Sequence, residues 1–219
     1  MQTRLSYLVG EDKIVKLKEK NVLVCGVGGV GSFVCEALAR SGIGNLDIID
    51  YDVIDITNLN RQLMSNKANV GKIKVLEMKK RLEDVSDCKV TAFNRKIDET
   101  FELYKEYDYV IDCIDDLNGK FAIVKKCHEK GIRCISALGS AKRLKISNIK
   151  KTTLDKTRND PLAKAFRYKV RKENYRHKID VVYSDSTYIN SEKLGSSIFV
   201  VGSVGLYLAG YVFEKLLEE

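Results

Sequence analysis

The chain has 219 residues, of which 44% are hydrophobic and 31% charged, with a single proline. This composition excludes collagen-like, proline-rich and disordered classes, and a chain of this length can bury a sizeable core. The formal net charge is +8, from 38 Lys+Arg against 30 Asp+Glu. We therefore expect one globular, basic domain over residues 1–219.

The apolar pattern alternates between strand and helix along the first two thirds of the chain. Short apolar runs predict buried strands at 21–25, 45–50, 89–94, 109–113 and 132–137. Apolar residues at helical spacing predict helices at 11–20, 29–41, 71–84, 99–104 and 116–130. Strands and helices that alternate in this way predict an α/β fold with a doubly wound, mostly parallel, Rossmann-like sheet.

Beyond residue 140 the pattern changes. Asp160 followed by Pro161 is typical of a helix start, and we expect this helix to continue to about residue 176. A strand is predicted at 179–183, and the apolar residues 194–213 close the fold. The inner row of the helix is predicted to be Leu162, Phe166 and Val170.

Two features bear on the compartment. Residues 194–213 carry no charge and are long enough to cross a bilayer, but they contain four glycines and three serines. We therefore expect a strand entry followed by a buried helix, and no membrane association. The six cysteines form no C-x-x-C pair, and residues 1–11 contain no apolar signal segment, so reduced thiols in the cytoplasm are expected.

Positive charge is concentrated in one stretch. Residues 142–178 hold 14 Lys+Arg and 3 Asp+Glu, whereas the rest of the chain holds 24 and 27. Such a concentration indicates a surface that faces a polyanion, with a solvated basic helix as the alternative. We interpret residues 140–180 as a basic insertion within the single domain.

A glycine motif follows the first predicted strand and precedes a helix. In GVGGVG, Gly26, Gly28, Gly29 and Gly31 would let a phosphate approach the backbone and the helix N-terminus. Asp50 ends the second predicted strand, where a carboxylate can accept hydrogen bonds from ribose hydroxyls. The motif indicates a nucleotide but leaves NAD, FAD and ATP open.

Three further residues favour ATP. Arg61 lies in the loop after the second predicted strand and Lys74 in the next helix. An enzyme that cleaves ATP needs cations beside the departing pyrophosphate, whereas a dehydrogenase does not. Asp115 belongs to a carboxylate cluster after the fourth predicted strand, and such oxygens can hold Mg²⁺. Taken singly, each has an ordinary explanation: a loop salt bridge, a solvated helix charge and a helix N-cap.

These motifs in this order resemble the ThiF/MoeB/HesA superfamily of ubiquitin-activating-type adenylating enzymes. The motifs are GVGGVG, the acidic pair around Tyr51, TNLNRQ, VGKIK and DCIDD. The resemblance implies the fold of that superfamily, catalytic roles for Arg61, Lys74 and Asp115, and Mg²⁺ held by Asp115. It implies that ATP contacts Gly26, Gly28, Gly29, Gly31, Asp50, Asp52, Thr57, Asn58, Arg61, Lys74, Asp115 and Asp116.

The second half is similar to the branch of tRNA threonylcarbamoyladenosine dehydratases, in TLDKTRNDPLA with its basic helix, in IDVVYSDS and in the apolar ending. This resemblance implies ATP-dependent adenylation of the threonylcarbamoyl carboxylate beside the anticodon, followed by ring closure with net loss of water. From the helical pattern we expect Lys164, Arg167, Tyr168 and Arg171 to project outward. The tRNA contacts are expected at Lys164, Arg167, Arg171 and Lys172, with Tyr168 and Tyr175 as candidates for base stacking or for buried packing.

Other functions stay open at this point. The first alternative is an adenylyltransferase that activates the C-terminus of a ubiquitin-like sulfur carrier, although such chains often carry two C-x-x-C pairs for zinc. A non-catalytic nucleotide-binding or RNA-binding module and an NAD-dependent oxidoreductase are further alternatives. The superfamily implies a homodimer, and a sulfur-transfer protein is a candidate partner. GSSI stands at 195–198, where some relatives have a cysteine, which argues against a covalent thioester.

Overall fold

The computed structural model describes residues 2–218, which form one sheet flanked by helices. The strands are β1 (Asn21–Cys25), β2 (Asn45–Asp50), β3 (Lys89–Asn94), β4 (Tyr109–Asp112), β5 (Cys134–Ala137), β6 (Ile149–Thr153) and β7 (Asp180–Ser184). The helices are α1 (Thr3–Val9), α2 (Glu11–Leu17), α3 (Gly31–Arg40), α4 (Lys74–Val85), α5 (Leu117–Glu129), α6 (Pro161–Lys172) and α7 (Ile198–Leu217). Short 3₁₀ helices lie at Ile56–Asn58 and Leu154–Lys156.

The strand order is β3-β2-β1-β4-β5-β7-β6, and the sheet is parallel except for β6, which runs antiparallel to β7. The chain builds outward from β1 through β2 to β3 and then returns to the other side of β1 with β4. Parallel sheets bind ligands at such a reversal, beyond the carboxyl ends of the strands. The predicted doubly wound, mostly parallel sheet is confirmed.

The helix predicted at 99–104 does not form. Phe101 and Leu103 both pack into the apolar cluster beside β1 and β4. A helix cannot achieve this, because residues two apart do not share a helical face. Tyr104 stacks on Phe93 with 3.9 Å between ring centroids, which holds the segment as a packed loop.

The helix predicted to reach residue 176 ends at Lys172. Asn174 adopts a φ of 51°, and the N–H groups of Asn174 and Tyr175 donate back to carbonyls of the last helical turn. This left-handed ending turns Tyr175 inward, where it packs edge to face on Phe121. Burial raises the pKa of Tyr175 to about 12. Of the two alternatives predicted for Tyr175, base stacking and buried packing, the structure therefore shows the packing.

Two elements were not predicted, α1 and the edge strand β6. β6 is not recognisable as a strand from the sequence, because Lys150 and Lys151 interrupt its apolar pattern. Both form ion pairs, Lys151 with Asp180 at 2.9 Å and Lys150 with Asp185. Lysines suit an edge strand because they discourage pairing with another chain.

α7 packs against α3 through glycines. A Cβ on Gly205 would lie 2.6 Å from the Val30 carbonyl oxygen, and one on Gly202 would lie 3.0 Å from the Phe33 ring. Within residues 2–218, α7 is the one helix long and apolar enough to cross a membrane by length and composition alone, and 50% of that window is buried inside the fold. Such burial is expected of a core helix. A loop precedes it, where a strand entry was predicted.

Candidate active site

A cavity of about 780 Å³ opens beyond the carboxyl ends of β1, β2 and β4. One half is formed by the glycine turn and by the segments that follow β2 and β4, and we call it the nucleotide half after the ligand predicted from these segments. The other half is formed by the loop after β5, the start of α6 and the loop before α7. Ten residues predicted to bind nucleotide line it: Gly26, Gly28, Gly29, Asp50, Asp52, Asn58, Arg61, Lys74, Asp115 and Asp116.

The glycine turn brings α3 unusually close to the end of β1. Gly26 has a φ of 87°, a conformation that favours glycine. A Cβ on Gly31 would lie 1.8 Å from the Gly26 carbonyl oxygen, so the helix can begin here only with glycine. Gly31 thus supports the turn from behind and does not itself line the cavity, unlike Gly28 and Gly29.

Asp50 fixes the turn from the end of β2. Its carboxylate accepts hydrogen bonds from the Val27 N–H at 2.8 Å and the Asp52 N–H at 2.9 Å. Burial raises the pKa of Asp50, and the two hydrogen bonds oppose that shift. The carboxylate also lines the cavity, where its remaining lone pairs can accept a ribose hydroxyl.

Arg61 reaches the cavity from the loop after β2. Its Nη1 donates to the Thr57 carbonyl at 2.8 Å and to the Asn60 side-chain oxygen at 3.0 Å. Thr57 lies outside the cavity, where its hydroxyl donates to Asp55 at 2.6 Å. Asn58 is buried and accepts from the Asp55 N–H at 3.0 Å. Thr57 therefore holds the arginine in place and does not line the cavity.

Lys74 begins α4 and places a cation opposite the glycine turn. Its side chain is 7% exposed, and its Nζ lies 2.8 Å from a carboxylate oxygen of Asp52, which is 46% exposed. A buried ammonium needs an anionic or hydrogen-bonding partner. Both residues line the cavity, so a phosphate group bound there can approach the same ammonium.

The three aspartates after β4 have different partners. Asp112 forms an ion pair with Lys120 at 2.9 Å, and both side chains are 0% exposed. It also accepts from the Ile114 N–H at 3.1 Å, which holds the turn after the strand. Asp116 caps α5 by accepting a backbone N–H at 2.6 Å. Asp115 is exposed at the cavity, so the helix-cap explanation applies to its neighbour and not to it.

Three polar residues of the nucleotide half were not predicted: Gln62, Arg95 and Lys96. Gln62 is 6% exposed, and its Oε1 is buried without a hydrogen-bond partner among residues 2–218. A buried acceptor without a donor is costly, and a ligand donor would satisfy it. Lys96 lies 5.6 Å from the centre of the Tyr51 ring. Of the three, Gln62 belongs to a recognised sequence motif, TNLNRQ, whereas Arg95 and Lys96 belong to none.

The second half of the cavity was not predicted either. It includes residues 138–142 and Tyr188. Arg143 is 1% exposed, donates to the carbonyls of Ser186 and Asn159, and lies 4.3 Å from the centre of the Tyr188 ring. It thereby ties together three loops that form this half. From the sequence, Arg143 was interpreted only as one of the basic residues of a surface that faces a polyanion.

Cys113 is the cysteine that lines the cavity among residues 2–218. Burial, and then the charge of Asp112, raise the pKa of its thiol. Nucleophilic attack requires the thiolate, which such an environment disfavours at neutral pH. The cavity therefore offers no activated cysteine for a covalent intermediate.

The outer face of α6 carries exposed cations beside the cavity, at Lys164, Arg171 and Lys172. Arg167 is different, and the expectation that it projects outward is wrong. Its guanidinium donates to the Thr157 carbonyl at 3.1 Å and to the Thr157 hydroxyl. These bonds satisfy the 3₁₀ turn before α6 and draw the side chain against the protein.

The chain was compared with known proteins and structures. It matches the ThiF family over residues 2–203. It is 36% identical to the tRNA threonylcarbamoyladenosine dehydratase of Bacillus subtilis over 99% of this chain and 94% of that protein. It is 32% identical to the protein of the same name from Haemophilus influenzae, over 95% of this chain and 90% of that one. The E. coli tRNA N6-threonylcarbamoyladenosine dehydratase in complex with ATP superposes with a TM-score of 0.91 at 28% identity, over 99% and 93% of the two chains.

Proposed function

Because the chain belongs to the ThiF family, we propose that it is an ATP-dependent tRNA threonylcarbamoyladenosine dehydratase. The observation that carries this proposal is the similarity to such a dehydratase over 99% of the chain, which includes the basic residues 142–178. Activation of a sulfur-carrier protein is the related alternative. It is not favoured, because residues 2–218 contain no group of three or more His, Cys, Asp and Glu side chains able to hold the zinc common in that branch.

The proposed reaction has two steps, adenylation of a carboxylate and closure of a ring. The carboxylate of the threonylcarbamoyl group attacks the α-phosphorus of ATP and displaces pyrophosphate. The carbamoyl group then attacks the activated carbonyl carbon and gives up one N–H proton, and AMP departs with the former carboxylate oxygen. The nucleoside thus loses the elements of water. One cavity that holds both ends of the side chain supplies the proximity that ring closure needs.

The nucleotide half of the cavity supplies charge for the first step. Arg61 and Lys74 both line it and would stabilise the negative charge that develops on the departing pyrophosphate. Asp50 would accept the ribose hydroxyls, and the turn at Gly28 and Gly29 would bind phosphate oxygens. A Cβ on Gly29 would lie 3.5 Å from the Arg61 side chain, so it would stand beside the arginine that we propose binds the phosphates.

The donor set after β4 fits Mg²⁺, which prefers one or two carboxylates together with phosphate oxygens and water. Asp112 is engaged by Lys120, and Asp116 caps α5, so Asp115 is the carboxylate that would hold the ion. When bound, Mg²⁺ neutralises phosphate charge. Asp115→Asn should lower turnover at least tenfold and raise the Mg²⁺ concentration needed for half-maximal rate. Unchanged values of both would exclude this role.

The tRNA would approach from the α6 side. Lys164, Arg171 and Lys172 are exposed there and suit contacts with phosphates that flank the modified nucleoside. Arg167 would support tRNA binding indirectly, by holding the 3₁₀ turn before α6, and would not contact the tRNA itself. Binding should weaken steeply with salt, because each neutralised phosphate releases counterions.

We also propose that the chain forms a homodimer in the cytoplasm. Phe199, Leu206 and Tyr207 are 72%, 55% and 42% exposed on α7 and form an apolar stripe that suits a second copy. Leu206→Glu should shift the mass in solution from dimer to monomer, and an unchanged dimer mass would exclude this face. The six free cysteines agree with a reducing compartment. A sulfur-transfer protein stays a candidate partner.

The decisive experiment incubates the protein with ATP, Mg²⁺ and tRNA that bears threonylcarbamoyladenosine, then digests the tRNA and weighs its nucleosides. We expect the nucleoside to lose the mass of one water molecule, with an equal amount of AMP released. The matched control is the same tRNA without the modification, which should release no AMP. An unchanged mass, with ATP–pyrophosphate exchange only after a ubiquitin-like carrier is added, would favour the alternative.

A further inference from the structure

A second cavity of about 550 Å³ lies beside the first, between the start of α5 and the outer face of α6. Pro161, the first residue of α6, lines both cavities. We call the second cavity the α6 groove. Leu117 and Ala165 give it an apolar lining, and Lys164, Tyr168 and Lys172 complete it along the helix. The two cavities therefore adjoin at the start of α6, where an RNA strand bound in the first could extend into the second.

Tyr168 is the aromatic side chain of the α6 groove. It is 70% exposed, although a large aromatic ring is usually at least half buried. Lys164 and Lys172 lie one helical turn before and after it, so the three side chains share one row. Lys169, also in the groove, is instead paired with Glu173 at 3.0 Å. The row therefore presents one exposed ring between two exposed ammonium groups.

An exposed ring between cations matches the chemistry of an unpaired nucleotide. Aromatic side chains stack on bases that are splayed out of a loop, and lysines bind the phosphates on either side. Paired bases in a stem are already stacked and hidden from such a ring. Residues 142–178, which contain the row, carry 14 Lys+Arg against 3 Asp+Glu, so the surroundings also favour a polyanion.

We propose that the α6 groove binds the nucleotide next to the modified adenosine, with its base stacked on Tyr168 and its flanking phosphates at Lys164 and Lys172. This proposal rests on the proposed function, since it takes the modified adenosine to occupy the first cavity. It makes the groove a subsite that recognises a single-stranded loop. The enzyme then requires its substrate within an anticodon loop and acts poorly on the free modified nucleoside.

The kinetic test compares Tyr168→Ala with Tyr168→Phe, which keeps the stacking face. Tyr168→Ala should raise KM for modified tRNA about tenfold, the loss expected for one stacked base, with little change in kcat or ATP affinity. Tyr168→Phe should stay within about twofold of the parent. Lys80→Ala, which truncates an exposed side chain on α4 outside the groove, is the control for surface truncation and should leave KM unchanged. Equal KM values for Tyr168→Ala and the parent would overturn the proposal.

A binding test separates this proposal from the proposed function. An anticodon stem-loop carries a fluorescent adenine analogue on one side of the target adenosine, or on the other side in a second RNA. Stacking should quench the fluorescence of one of them with the parent and Tyr168→Phe but not with Tyr168→Ala. Quenching without any dehydration would uphold the groove and reject the function. Dehydration without Tyr168-dependent quenching at either position would reject the groove alone.

Discussion

The buried ion pair between Lys120 and Asp112 supports the turn that carries Asp115, and its removal is the sharpest test of the structure. Both side chains are 0% exposed and lie 2.9 Å apart. Lys120→Met keeps the apolar stem of the lysine but removes its charge. Among residues 2–218, the Ile114 N–H is then the one hydrogen-bond donor that still contacts the buried carboxylate of Asp112.

The expected loss follows from two opposing effects. At 2.9 Å and an effective dielectric constant of about 20, the attraction between the charges is about 6 kcal/mol. Part of this is offset, because the variant no longer has to desolvate an ammonium group. Removal of one partner of a buried pair costs about 3–5 kcal/mol, and we expect Lys120→Met to fall in that range. This is a large share of the roughly 5–15 kcal/mol that stabilises a typical protein.

Urea unfolding, followed by circular dichroism, measures this loss against the parent. The double variant Lys120→Met/Asp112→Asn removes both charges and retains an acceptor for the Ile114 N–H. It should recover most of the lost stability, to within about 1.5 kcal/mol of the parent, because replacement of a whole buried pair is often neutral. A loss below about 1 kcal/mol in Lys120→Met, or a double variant no more stable than the single one, would refute the reasoning.

Three other predictions concern the glycine turn after β1, an ion pair between α3 and α4, and the thiol of Cys113. Gly31→Ala should lower the free energy of unfolding by more than about 2 kcal/mol, because its Cβ would lie 1.8 Å from a backbone oxygen. Gly29→Ala has contacts of 3.4 Å or more, so it should lose less than about 0.5 kcal/mol of stability. It should nevertheless bind ATP more weakly in calorimetry. The carboxylate of Glu36 in α3 has a lowered pKa: burial would raise it, but hydrogen bonds from Arg81 and Arg40 outweigh that effect. A lowered pKa in the folded state stabilises the fold fully above the ordinary value of about 4.3, so Glu36→Gln should cost about 1 kcal/mol at neutral pH in urea unfolding. The difference should shrink below that value and vanish once the pH has fallen through the lowered pKa of the folded state. Cys113 should react with iodoacetamide at neutral pH at least tenfold more slowly than free cysteine, as measured by mass spectrometry, since its raised thiol pKa leaves little thiolate; reaction at the rate of free cysteine would contradict this.

The central strands could be predicted because each is a short apolar run with a single structural interpretation. β1 and β2 have the predicted bounds, since buried parallel strands lose their apolar pattern where they leave the core. The edge strand β3 also has its predicted bounds. β6 could not be predicted in this way, because an edge strand tolerates Lys150 and Lys151 where a central strand would not. The segment at 99–104 has helical spacing, but its aromatic contacts with Phe93 and the core decide its conformation.

The residues that line the nucleotide half of the candidate site could be predicted because they lie in local motifs. Gly26, Asp50 and Lys74 each stand at a fixed place next to a strand or helix, so their positions follow once the sheet is recognised. The second half is assembled from loops far apart in the chain. Arg143 joins the loops around Asn159 and Ser186, and no local pattern indicates that these segments meet.

The count of charges in residues 142–178 overstates how many can face an RNA. Arg143 is 1% exposed and directs its guanidinium to backbone carbonyls, while Arg167 donates to Thr157. Lys150 and Lys151 pair with aspartates across the edge of the sheet. These cations organise the second half of the cavity and its supporting strand. The basic stretch therefore has two parts. Some of its charge builds the second half of the cavity, and the exposed remainder, chiefly on and after α6, is available for the phosphate contacts that we propose.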